Sequence, residues 1–180
     1  MSIHHIRLRM NRMEHPDETR YTMFMTKTNA MRILETENVL FEVHTYEFDE
    51  DNLDAQHAAL SAGLPPEQVF KTIVMRNERN EIYVFCVPAT TTVNLKKVRA
   101  LTNSKDINPV HPQELMKLTG YIRGGCSPLG MKKKYPTFID ETAILFDTIF
   151  VSAGQRGLQL GVNGEQLASV TGAQLSELTL

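Results

Sequence analysis

At 180 residues, with 42% hydrophobic and 22% charged residues, the chain suffices for one domain that buries a core without staples. A formal net charge of −2 excludes a protein that coats nucleic acid non-specifically, because that binding depends on many phosphate neutralisations, and leaves room only for a local basic patch. No apolar run approaches the length of a membrane helix, and the two cysteines, Cys86 and Cys126, lack CxxC or Cys/His ligand spacing; the expectation is a cytoplasmic protein without a membrane partner, disulfide framework or metal site.

Residues 1–24 carry His4, His5 and His15, methionines at 1, 10, 13 and 23, and little apolar periodicity. They are read as an extension rather than a signal peptide, ahead of a domain over 25–180, with a start at Met23 or Met25 as the other reading. From Thr28 the spacing of Ala30, Ile33 and Leu34 predicts a helix, with Thr28 or Asn29 as cap. Residues 41–46 then alternate as a strand, and 53–62 return to helix, capped by Asp51 or Asn52 and stopped by Gly63 before Pro65 and Pro66. The runs VFKTIVMR (69–76) and EIYVFCV (81–87), separated by the polar turn 77–80, predict an antiparallel hairpin. In it Cys86 reads as a buried small hydrophobe.

Asn94 caps a predicted helix to Thr102 whose Lys96, Lys97 and Arg99 read as a solvated face. A short extended piece over 106–110 precedes a helix with Pro112 at its first position, ending before Gly120. Residues 137–139, 148–152 and 158–162 read as strands, the last two joined by the tight connection 153–157, and Asn163 caps a final helix ending at Gly172. Strands and helices mix without strict βαβ alternation, which predicts an α+β fold.

The segment 120–140, GYIRGGCSPLGMKKKYPTFID, stands apart, since its four glycines and two prolines suit a loop built for shape. Within it Lys132, Lys133 and Lys134 form either a solvated run or a set of point charges for phosphate. Lys71 is the other oddity: flanked by strand hydrophobics, it either snorkels at the strand end or points into a site that needs a fixed ammonium. No GxSxG, HExxH, Walker A or dinucleotide fingerprint is present, and no spacing pairs His44, His57 or His111 with Ser127, Ser152 or Cys126 as base and nucleophile. Any catalysis would rest on positioning and fixed dipoles.

The pieces FEVHTYEFD (41–49), VFKTIV (69–74), NLKKV (94–98), TGYIRGGCSPLGMKKKYPTFID (119–140) and IFVSAGQRGLQL (149–160), in this order and spacing, resemble the YbaK/EbsC family of aminoacyl-tRNA deacylases, and within it the bacterial Cys-tRNA(Pro)/Cys-tRNA(Cys) deacylases. The resemblance runs from about residue 25 to the C-terminus. It implies a mixed, barrel-like β-sheet surrounded by helices, and trans-editing: release of cysteine wrongly attached to tRNA(Pro), with the substrate thiol attacking its own ester and no cofactor. It implies Lys71, Gly124, Gly125 and Ser152 as catalytic residues, and Tyr46, Ser127, Arg156 and Gln159 as substrate contacts. The acceptor end of aminoacyl-tRNA would be the partner, with Lys132 to Lys134 on its phosphates, prolyl-tRNA synthetase as a further candidate, and no DNA. Gln159 departs from the aspartate that close relatives carry, which leaves amino-acid preference open. The alternatives are editing of alanine or serine by water attack, and a non-catalytic module that captures aminoacyl-tRNA or docks on a synthetase.

Overall fold

Helices start in this chain where the sequence supplies an acceptor for first-turn amides. The computed structural model describes residues 26–180, so the expected extension over 1–24 lies outside the described residues. Thr28, Asp54, Asn94 and Asn163 cap α1 (Asn29–Thr36), α2 (Ala55–Ser61), α3 (Leu95–Leu101) and α5 (Gly164–Thr171) through their side chains. Helix α4 (Pro112–Thr119) instead places Pro112 in its first turn, where no amide is needed, and ends at Gly120 with φ 85°. The α2 cap is Asp54, not Asp51 or Asn52. Its Oδ1 accepts from the Gln56 and His57 amides at 2.9 and 3.3 Å, whereas the Asn52 side chain is spent on the Asp54 amide one turn earlier.

Eight strands follow the predicted order with one addition: β1 (Phe41–Thr45), β2 (Phe70–Asn77), β3 (Ile82–Pro88), β4 (Ile107–Pro109), β5 (Thr137–Asp140), β6 (Ile149–Ser152), β7 (Leu158–Val162) and β8 (Gln174–Ser176). Strand β8 and the 3₁₀ turn Glu141–Leu145 escape the sequence pattern because each is only a few residues long. Buried Asp140 ties both down, accepting from the Thr142 amide and hydroxyl and from the Leu178 amide. The basic face expected on α3 is only partly solvated: Lys97 donates to Glu177 and the Thr179 carbonyl, and Arg99 pairs with Asp106.

The fold is α+β, as expected, but the barrel-like closure is not found. Strands pair as an antiparallel three-stranded sheet, β1-β7-β6, and a mixed five-stranded sheet, β4-β2-β3-β5-β8, in which β5 runs parallel to β3 and β8. The two sheets touch at one parallel bridge, Val69 to Phe150, with the Phe150 amide donating to the Gln68 carbonyl at 2.8 Å. Closure fails because the outer edge of β2 has different partners at its two ends: the Val69 bridge at one, and β4, which pairs with Met75 to Asn77, at the other. Between them the edge at Phe70 to Ile73 is left open, and it faces a cavity.

Cores lie on both sides of this seam. Helix α1 buries Ala30, Met31 and Leu34 against Phe41, Val43, Val151 and Leu160 of the three-stranded sheet. Met75, Phe85, Val98, Ile107 and Phe138 fill the larger sheet, where the rings of Phe85 and Phe138 stack at 5.4 Å. Helix α2 covers the seam with Ala59 and Ala62 over Val69 and Phe150. No helix among the described residues is long and apolar enough to cross a membrane.

Candidate active site

The seam places its polar side chains by strand periodicity. Two residues past bridged Phe150 is Ser152, and two past Val69 is Lys71; both line one cavity of about 350 Å³. Ser152 sits opposite Gln159 in the β6–β7 register, and Gln159 sits opposite His44 of β1, so Gln159 lines the cavity from the middle strand. Tyr46 continues the β1–β7 ladder, its amide donating to the Gly157 carbonyl at 2.9 Å, and its ring joins the lining. The far wall is the start of α2, and the glycine-rich loop supplies Arg123, Gly124 and Cys126.

Electrostatics differ sharply from one group to the next. Lys71 Nζ donates to the Ala89 carbonyl at 3.2 Å. Burial lowers its pKa, and the negative charge of Asp54 partly opposes that shift. Burial raises the Tyr46 phenol, against hydrogen bonds from the Gly157 backbone and the Gln159 side chain and the nearby charge of Arg156. The Ser152 hydroxyl accepts from the Gly154 amide at 3.3 Å. Gln159 is 6% exposed, and its Oε1 has no hydrogen-bond partner. Cys126 also lines the cavity, but burial pushes its thiol up to about 12, so it stays protonated near neutrality. Cys86 is fully buried with its thiol likewise pushed up to about 12, as expected of a core residue.

Not every residue expected at the site reaches the cavity. Gly124 does: its φ of 83° suits glycine, and a Cβ there would lie 3.2 Å from the Leu53 side chain. Gly125 stands behind it, its amide already donated to the Ile122 carbonyl, and a Cβ would lie 3.1 Å from the backbone of Gln155 and Arg156. That residue sets how closely the loop packs on the 153–157 turn. Arg156 locks the same contact, its Nε donating to the Arg123 carbonyl at 3.0 Å. Ser127 is fully buried and accepts from the Leu129 amide at 3.3 Å, which shapes the loop from within. Lys132 donates to the Met116 carbonyl at 3.0 Å, satisfying the end of α4, while Lys133 and Lys134 are exposed.

The cavity also includes Phe48, Asp54, His57 and Thr72, which sequence reasoning did not nominate. Asp54 carries a readable signal as a helix cap, but its approach to Lys71 comes from packing α2 over the seam. No hydroxyl or thiol in the lining bonds to His57 among the described residues, so a nucleophile–base pair is not assembled there. The cavity offers instead an ammonium, a buried carbonyl, hydroxyls and close backbone approach.

The family model described as the aminoacyl-tRNA editing domain matches residues 49–170. The chain belongs to that family. The editing domain is also 39% identical, over 85% of this chain and 93% of the relative, to the "putative Cys-tRNA(Pro)/Cys-tRNA(Cys) deacylase EbsC" of Enterococcus faecalis. It is 22% identical, over 68% of this chain and 77% of the relative, to an uncharacterised protein, YwhH, of Bacillus subtilis. Among solved structures, it superposes with a TM-score of 0.73 and 24% identity on one described as a "putative trans-editing enzyme for prolyl tRNA synthetase", covering 87% of this chain and 99% of that one. At that identity the superposition speaks for the fold alone.

Proposed function

We propose that this editing domain is a trans-acting deacylase that releases cysteine from mischarged Cys-tRNA(Pro), and from Cys-tRNA(Cys). The observation that carries the reading is one cavity at the sheet seam that gathers Tyr46, Lys71, Gly124, Ser152 and Gln159 without a nucleophile–base pair among the described residues. A site so equipped suits a substrate that brings its own nucleophile. The cysteine thiol attacks its own ester carbonyl carbon: a C–S bond forms, the C–O bond to the terminal ribose breaks, and the thiol proton ends on the departing ribose hydroxyl. The products are a β-thiolactone and free tRNA, so the step belongs to the lyase type, with hydrolysis of the thiolactone following in water.

In this reading the Lys71 ammonium stabilises the negative charge that develops on the carbonyl oxygen. Gly124 admits the substrate against the backbone, and Ser152 with Tyr46 orients it. The site holds the thiol and carbonyl in reactive geometry, and such intramolecular positioning contributes several kcal/mol, up to about 7–11 in the best cases. Gly125, Ser127 and Arg156 act one layer back by holding the loop that carries Gly124. Lys133 and Lys134 lie on the exposed surface, where they contact phosphates of the acceptor end. Prolyl-tRNA synthetase is a physical partner in this reading, checked by co-purification with and without tRNA(Pro).

The experiment is release of radiolabelled amino acid from Cys-tRNA(Pro), Ser-tRNA(Pro) and Ala-tRNA(Pro) by the purified protein. Cleavage of the cysteine ester alone is expected, since serine lacks the thiol. Cleavage of the serine and alanine esters would make water the attacker, and release from none would leave a binding module.

A further inference from the structure

We infer that the side-chain carbonyl of Gln159 is the seat of the substrate's α-ammonium, so that the site accepts aminoacyl groups with a free amino terminus and refuses N-blocked ones, peptidyl chains included. This rests on the reading that the cavity takes the aminoacyl end of a tRNA. Gln159 stands on the central strand β7, between Ser152 and His44, and is 6% exposed. Gln159 lines the cavity, and its Oε1 is shut from solvent with no hydrogen-bond partner. Buried carbonyls nearly always have a donor, and a small rotation of this amide toward the cavity would let an entering donor complete it.

The substrate offers two kinds of donor, the α-ammonium and the ribose hydroxyls. Place and charge favour the ammonium. The ribose stays joined to the tRNA and remains on the outer side, whereas the amino acid is the free end that reaches inward. Charge points the same way: Glu47, Asp49 and Asp54 line the cavity against Lys71 and Arg123, an excess of negative charge that suits a cation. N-acylation removes that charge and the donors with it.

The test uses cysteine joined to 3′-amino-3′-deoxyadenosine through an amide, which resists release, in free and N-acetylated forms, titrated calorimetrically against the wild-type protein and Gln159→Met. The wild type is expected to prefer the free amine by about 10- to 100-fold, the range for a hydrogen bond to a charged group, and Gln159→Met to bring the two affinities together. Equal affinities in the wild type would overturn the inference, as would no binding of either analogue. A preference that survives in Gln159→Met would also overturn it, because the acetyl group would then be excluded by bulk. A loss seen with the 2′-deoxy analogue instead, and abolished by the substitution, would give the carbonyl to the ribose. Turnover of the esters is scored separately: a protein that cleaves Cys-tRNA(Pro) without amine preference loses this inference and keeps its proposed function.

Discussion

Replacing Lys71 by methionine separates the charge of this residue from its bulk. Methionine keeps an unbranched stem against the seam and deletes the ammonium. In the free protein that ammonium holds one hydrogen bond, to the Ala89 carbonyl at 3.2 Å, and burial works against its charged form. Loss of the bond and relief of desolvation therefore oppose each other, and stability should change by no more than about 1 kcal/mol. Catalysis should respond differently. Deleting a fixed donor to a developing oxyanion costs roughly 10²–10³ in rate, or about 2.7–4 kcal/mol. Single-turnover release from Cys-tRNA(Pro) under excess protein reads the chemical step without the complication of product release. The expected result is a loss of about a hundredfold or more with a melting temperature within a few degrees of wild type. A rate within about threefold of wild type, in a folded variant, would remove Lys71 from the reaction and with it the electrostatic account of the site.

The same residue sets a pH dependence. The Lys71 pKa lies below its usual 10.5, so the ammonium is lost earlier than normal as pH rises. Binding of the amide-linked analogue with its amine acetylated and its thiol methylated, so that neither titrates, should then weaken on an alkaline limb below pH 10.5, and Lys71→Arg should shift that limb upward; a limb unmoved by the substitution would refute this assignment. Charge reversal of exposed Lys133 and Lys134 should lower the salt slope of tRNA binding by about 0.7–0.9 per lost phosphate contact, and an unchanged slope would clear both lysines of that role. Gly125→Ala would press a methyl group against backbone at 3.1 Å and should cost about 1–3 kcal/mol in thermal unfolding. An unaltered melting temperature would mean that the loop yields freely.

Local chemistry made much of this protein legible in advance. Caps at Thr28, Asn94 and Asn163, proline at the start of α4 and glycine at its end announce themselves because they satisfy amides and turns within a few residues of themselves. The β2–β3 hairpin follows from two β-rich runs and a polar turn. The motif pieces were also legible, and with them the family. Packing alone decided that the sheets meet at a single bridge without closing, since β4 holds the far end of the β2 edge and no local pattern in β2 encodes that competition. Packing also separated the glycines, putting Gly124 in the wall and Gly125 against the next turn, although they are neighbours of the same type. Lys71 remained ambiguous in the sequence between snorkelling and a site because the answer depends on Asp54 and Ala89, which reach it only through the fold. Gln159 was named from the sequence, but its empty carbonyl could not be, because a missing hydrogen bond is a property of everything packed around the atom and not of the residue that carries it.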